Sequence, residues 1–224
     1  MPIQSAERVT PLLKRLSITF SAVYFMTVPF HPFPGSAVIK GLAIATLAAV
    51  AWVSSSKMLW LALVASTVGD VLLDLDSGRL FIPGLCAFLT AHLVYTALFA
   101  SRWPIPLRIS LPRLILFPVI LAYAAGFAFW LAPDLREMTV PVTLYICVIT
   151  TMVITAVGGR LSLYVPIGAA LFLMSDSLLA IAKFKGPFPL RDYLVWGTYY
   201  AAQYFIATGV LRGVPEPSGK GKRK

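Results

Sequence analysis

Long uncharged runs alternate with short polar breaks along the whole chain. The apolar runs fall near residues 16–28, 37–53, 59–75, 80–100, 111–131, 139–157, 163–182 and 193–211. Roughly 17–25 predominantly apolar residues suffice for a helix to cross the hydrocarbon of a bilayer, and only the first run is shorter. The breaks carry turn formers: Ser54-Ser55-Ser56-Lys57, Asp76-Ser77-Gly78-Arg79, Pro133-Asp134, Gly158-Gly159-Arg160 and Lys185-Gly186-Pro187. Within lipid each backbone polar group must be satisfied inside its own segment or a closed barrel. The pattern therefore predicts an all-α integral membrane protein, a bundle of about eight transmembrane helices. The first run ends among Pro29, Pro32 and Pro34. It is expected to be a span rather than a signal peptide, because no small-residue cleavage site leads into a polar mature start.

Composition strengthens this picture. Of 224 residues, 58% are hydrophobic and 12% charged, against about 25% charged in a soluble domain. The chain divides into a cytoplasmic segment (1–15), a transmembrane domain (16–211) and a basic tail (212–224), with no room for a separate soluble domain. The net charge of +10 is not a nucleic-acid signal, since the cations sit between spans and at the tail. With eight spans, 13 of the 19 lysines and arginines fall on the side shared by both termini. The positive-inside rule then places both termini in the cytoplasm, and the short chain fits a bacterial plasma membrane. Trp52, Trp60, Trp103 and Trp130 lie at span ends, where amphipathic rings prefer the headgroup level. Cys86 and Cys147 are isolated in apolar runs and are expected to be packing residues rather than a disulfide or metal pair.

The rare polar residues inside the runs carry the candidate chemistry. Asp70 lies in TVGDVLLDLD and Asp176 in FLMSDSLLAI. A carboxylate at the bilayer centre costs at least about 2.5–3.5 kcal/mol, so two of them are expected to face the bundle interior and work there. The third and seventh helices both run outward, which puts the two aspartates at nearly one depth. Lys40 and Tyr145 start near the outer ends of inward-running helices, and His92, Tyr199, Tyr200 and Gln203 lie nearer mid-depth. Polar groups of six helices thus share one layer. Asp74 follows Asp70 by one turn and shares its face, and Gly69 permits close approach of a neighbour. Val68-Gly69-Asp70-Val71-Leu72-Leu73 echoes Met174-Ser175-Asp176-Ser177-Leu178-Leu179 four helices later, as a 4+4 internal repeat would require.

Withdrawal from water favours the neutral form of a carboxyl, and a neutral acid beside a carboxylate is the arrangement for acid-catalysed cleavage. The Tyr-Tyr-x-x-Gln cluster suits binding of a polar group. The opposing reading is structural, with Lys40 pairing the aspartates to lock helix packing. No metal-ligand spacing, nucleotide loop or nucleophile elbow occurs, and no second histidine lies in a span to complete a serine triad. No metal or cofactor is expected. Buried carboxylates with tyrosines also mark proton-coupled transporters, and a noncatalytic lipid-binding protein is a third reading.

At these residues the chain resembles the YhhN-like lysoplasmalogenase family. The matching segments are GDVLLDLD from Gly69, GLCAFLTAHLVY from Gly84 to Tyr95, GAALFLMSDSLLAI from Gly168 to Ile181, and TYYAAQYFI from Thr198 to Ile206, together with Lys40. Gly41 stands where the family often has proline. The resemblance implies a multi-pass membrane enzyme that hydrolyses the vinyl ether bond of a lysoplasmalogen, with Asp70 and Asp176 as its catalytic pair. It implies a lysophospholipid substrate met within membrane lipid, releasing a fatty aldehyde and glycerophosphoethanolamine or glycerophosphocholine. Lys40 is expected to meet the substrate phosphate. His92, Tyr145, Tyr199, Tyr200 and Gln203 are expected to hydrogen-bond the glycerol, the water or the aspartates, and Asp74, which the resemblance does not assign, is a substrate-binding candidate by its shared face with Asp70.

Overall fold

A computed structural model describes residues 3–76, 78–104 and 109–212, with side chains from residue 9 onward. Its regular elements are all helical: α1 (Ile3–Thr27), α2 (Ser36–Val53), α3 (Lys57–Leu75), α4 (Phe81–Ala100), α5 (Leu111–Leu135), α6 (Thr139–Gly158), α7 (Tyr164–Phe184) and α8 (Arg191–Leu211). Helices α2, α3, α4 and α7, and the stretch 111–158 that holds α5 and α6, are long and apolar enough to cross a membrane. The basic tail from residue 213, and Arg8 and Arg108 of the charge count, lie outside the described side chains.

The helix ends match the apolar runs within a few residues except at α1. That helix reaches back to Ile3 instead of starting near Leu16. Hydropathy marks where a helix enters the hydrocarbon, whereas the backbone stays helical through the polar segment before it. At the far end of α3, the backbone N–H groups of Gly78 and Arg79 donate to Asp76 Oδ1 over 2.8 and 2.9 Å. These N–H groups, Arg79 first, hold its exposed carboxyl below the usual carboxylate range.

Seven helices close into a ring in the order α1, α2, α3, α4, α6, α7, α8, and α8 returns against α1, α2 and α3. Helix α5 lies outside this ring, packed on α6 and the edge of α7, and many of its large apolar side chains, such as Leu114, Val119 and Phe129, are exposed. Cys86 and Cys147 are exposed as well. They do not pack in the interior as their sequence context implied, because lipid accepts an apolar side chain as readily as a neighbouring helix does.

Small residues set the closest approaches. A Cβ on Gly168 of α7 would stand 2.8 Å from the Ala202 carbonyl oxygen and 3.0 Å from the Ile206 nitrogen, both backbone atoms of α8. Gly69 receives the Phe88 ring of α4, and Gly41 receives Val71 of α3. These contacts bring α3, α4, α7 and α8 together around the polar layer.

Candidate active site

Asp70 and Asp176 both line one chamber of about 480 Å³ inside the ring. Its wall includes His31 and Pro32 after α1, Phe81 at the start of α4, Lys183 near the end of α7 and Arg191 at the start of α8. The chamber therefore lies toward the end of the bundle opposite the start of α1 and the end of α8.

Each aspartate is held by two other helices. Asp70 is 2% exposed. Its Oδ2 accepts a hydrogen bond from Tyr199 Oη at 2.5 Å, and its Oδ1 lies 3.8 Å from Lys40 Nζ. Asp176 Oδ2 accepts from Tyr145 Oη at 2.5 Å and lies 3.1 Å from His92 Nε2, which is itself 2.8 Å from Tyr145 Oη. His92 is fully buried, and its Nδ1 has no hydrogen-bond partner among the described residues. A proton on Nε2 leaves only a lone pair unmatched at Nδ1, whereas a proton on Nδ1 would strand a donor. The Nε2–H tautomer is the one that fits, and it donates toward Asp176. The two centres adjoin through Phe172, whose ring meets His92 at 4.7 Å and Tyr199 at 5.3 Å, edge to face.

The two halves of the chain use one scheme. In each, an aspartate on the third helix takes one partner from the second helix of its own half and one from the fourth helix of the other half. For Asp70 these are Lys40 and Tyr199, and for Asp176 they are Tyr145 and His92. This crossed arrangement follows the four-plus-four pattern of the sequence echo.

Other polar residues are taken up by neighbours on several helices. Lys40 Nζ stands 3.8 Å from Asp74 Oδ1 as well as from Asp70, and over the rings of Tyr24 and Trp196 at 5.6 and 5.8 Å. It stands among carboxyls and aromatic rings and also lines the chamber. Asp74 also accepts from Tyr24 Oη at 2.7 Å and Ser36 Oγ at 2.5 Å, so it anchors α3 to α1 and α2. Tyr200 is not with its neighbour Tyr199. Its hydroxyl pairs with Ser17 Oγ at 2.8 Å, and Ser17 donates to the Ala43 carbonyl. Consecutive helical residues point about 100° apart, so Tyr199 and Tyr200 cannot share a face. Gln203, one turn after Tyr199, donates to Tyr199 Oη at 3.2 Å and accepts from Tyr95 Oη at 2.7 Å. Tyr95, Tyr24 and Ser36 were missed in the sequence. Only the position of Tyr95 three residues after His92, on the same face, hinted at its place.

A second, apolar crevice meets the chamber. It runs between α5, α6 and α7 and the α3–α4 pair, lined by Leu85, Ala124, Phe127, Val142, Ile146 and Ile149 among others. Asp176, Leu73, Phe81, Phe88 and Leu179 line both spaces. Among the described residues no group of three or more histidines, cysteines, aspartates or glutamates is placed to hold a metal ion.

The fold and site define a multi-pass, all-helical membrane protein with two carboxyls lining one chamber that shares wall residues with a hydrocarbon-lined crevice. The YhhN family model matches residues 35–210. Lysoplasmalogenase TMEM86B of Homo sapiens is 35% identical over 79% of this chain and 76% of its own length. Lysoplasmalogenase of Mycobacterium bovis is 34% identical over 76% of this chain and 67% of its own. Lysoplasmalogenase TMEM86A of Bos taurus is 32% identical over 70% of this chain and 66% of its own. The chain belongs to the YhhN family and is a lysoplasmalogenase-like hydrolase. No solved structure matches it.

Proposed function

We propose that this protein hydrolyses the vinyl ether bond of a lysoplasmalogen, with Asp70 as the acid and Asp176 as the base. The observation that carries the reading is the shared position of Asp176, between the polar chamber and the apolar crevice. A lysolipid has that same division. Its alkenyl chain occupies the crevice, its glycerophospho head occupies the chamber, and the vinyl ether at their junction meets the carboxyls. Lys183 and Arg191, in the same chamber wall as Lys40, join it at the phosphate.

Charge balance supports these roles. One ammonium, Lys40, faces two carboxyls, and Asp74 has two hydroxyl donors besides. That leaves Asp70 as the carboxyl that carries a proton. Asp176, with Tyr145 and His92 donating to it, is the carboxylate. Asp70 passes its proton to the alkenyl carbon not bonded to oxygen, and the π electrons form the new C–H bond. Positive charge develops on the other carbon and its ether oxygen. Asp176 stabilises that oxocarbenium ion and takes a proton from a water that adds to it. In the hemiacetal so formed, Asp70 recovers a proton from the new hydroxyl as the C–O bond to glycerol breaks. Asp176 returns its proton to the departing glycerol oxygen. The products are a fatty aldehyde and glycerophosphoethanolamine or glycerophosphocholine. Paired carboxyls flanking a cation-like transition state follow the logic of glycoside hydrolysis.

The decisive experiment compares purified protein on matched vinyl-ether, alkyl-ether and ester lysolipids. Aldehyde is expected from the vinyl ether alone, since only its double bond accepts the proton. Equal cleavage of the ester, or no aldehyde in detergent micelles, overturns the reading; micelles have no two compartments, so product there also excludes pure transport. The crevice makes a further prediction. Ala124→Phe fills it and is expected to lower kcat/KM about tenfold for a long alkenyl chain and less for a short one, as about two methylenes lose burial. Equal losses at both lengths would place the chain elsewhere.

In this reading both termini are cytoplasmic, as the lysine and arginine count supports, and the chamber opens toward the opposite leaflet of a bacterial plasma membrane.

A further inference from the structure

We infer that Tyr95 and Gln203 are positioning residues that confine the exchangeable proton of Asp70 to Oδ1. The inference rests on the assignment of Asp70 as the acid. Four side chains from three helices form one line of hydrogen bonds. Tyr95 Oη of α4 donates to Gln203 Oε1 of α8 over 2.7 Å, Gln203 Nε2 donates to Tyr199 Oη over 3.2 Å, and Tyr199 Oη donates to Asp70 Oδ2 over 2.5 Å. Tyr95 and Gln203 are fully buried and Tyr199 is 4% exposed, so bulk water does not substitute for any link.

The line has one polarity. A phenol carries a single hydrogen, an amide nitrogen only donates and an amide oxygen only accepts. Tyr199 accepts from Gln203, which leaves its own hydrogen for Asp70 Oδ2. Running the line backwards would turn the Gln203 amide end for end. It would also strand the Tyr95 hydrogen, because among the described residues Tyr95 Oη has no second hydrogen-bond partner. Leaving such a donor unmatched is penalised strongly in an interior. Oδ2 is therefore held as an acceptor whether or not Asp70 is protonated.

The proton must then be carried on Oδ1. That oxygen stands 3.8 Å from Lys40 Nζ, longer than a hydrogen bond, which leaves room for the hydrogen. Asp70 and Lys40 both line the chamber. With Oδ2 turned into the α3–α8 packing by Tyr199, proton delivery to substrate is left to Oδ1. A Gln203 free to turn would let the proton move to Oδ2, where it faces a phenol instead of the substrate. Tyr95 acts on Asp70 only through Gln203 and Tyr199.

A double-mutant cycle tests this, using the full chain in micelles at equal amounts of folded protein. Tyr95→Phe removes one oxygen and is expected to lower kcat about tenfold, the scale of losing one buried hydrogen bond, with KM within about twofold. Gln203→Met is expected to lower kcat more. The double variant is expected to be no worse than Gln203→Met, since the tyrosine has no other route to the carboxyl. Losses that multiply, or an unchanged kcat in Tyr95→Phe, overturn the inference. An infrared measurement needs neither turnover nor the methionine variant. The protonated-carboxyl C=O band that Asp70→Asn removes is expected to shift in Tyr95→Phe, and an unshifted or absent band overturns the inference. A wild-type protein that releases no aldehyde but shows the band shift would refute the assigned activity and leave the proton placement standing.

Discussion

Asp70→Asn and Asp176→Asn are each expected to yield an inserted, folded protein that releases almost no aldehyde from a lysoplasmalogen. Asparagine has the shape of aspartate and keeps an acceptor oxygen. Tyr199 can still donate at position 70, and Tyr145 at position 176. Lys40 keeps Asp74 at 3.8 Å when Asp70 is replaced, so the helix packing retains its ion pair. What disappears is the ability to give or take a proton. General acid–base assistance is typically worth about 10²–10⁴-fold, and loss of a preorganised negative charge beside the oxocarbenium ion adds to that at Asp176. The measurement is the initial rate of aldehyde release, with a thermal melt in the same detergent to establish folding. Turnover within tenfold of wild type in either variant removes that aspartate from the chemistry. Full activity in both would return the pair to the role of helix locks.

Gly168→Val is expected to cost both stability and turnover. A Cβ there stands 2.8 Å from the Ala202 carbonyl oxygen and from Ile206 Cγ1, and 3.0 Å from the Ile206 nitrogen. Two of these atoms are backbone, so no rotamer change relieves the clash, and α7 must move away from α8. Overpacking of this kind typically costs about 1–3 kcal/mol, seen as a lower melting temperature in detergent. The displacement falls beside Gln203 and one turn from Tyr199, so it also draws Tyr199 from Asp70, and a loss of turnover beyond tenfold is expected. Gly126→Ala is the control. On the outlying α5 its added carbon meets nothing within 4 Å, and melting temperature and turnover are expected to stay at wild-type values. A Gly168→Val protein that melts and turns over like wild type would show that the α7–α8 contact does not position the site.

Much of the site was legible in the chain. Asp70, Asp176, His92, Tyr145, Tyr199 and Gln203 stood out because polar side chains are costly in hydrocarbon and therefore informative by their presence. The helix spacing paired Tyr199 with Gln203 and Asp70 with Asp74. The same spacing did not reveal that Tyr200 turns to Ser17, or that Lys40 is taken up between Asp70 and Asp74. Tyr95 looked like one more apolar-run aromatic, yet it begins the hydrogen-bond line to Asp70.

By itself the sequence determined the all-helical membrane architecture, the number of helices, their ends to within a few residues except at α1, and which polar groups must face inward. These follow from local properties, namely the length of an uncharged run and the penalty for a carboxyl in lipid. The tertiary structure alone decided the ring order, the exclusion of α5, the crossed partnership of each aspartate with the other half of the chain, and the crevice that meets the chamber at Asp176. Lipid is as apolar as a packed helix face, so hydrophobicity does not say which side of a span turns inward. Steric fit at positions such as Gly69 and Gly168, and the pairing of polar atoms across helices, make that choice.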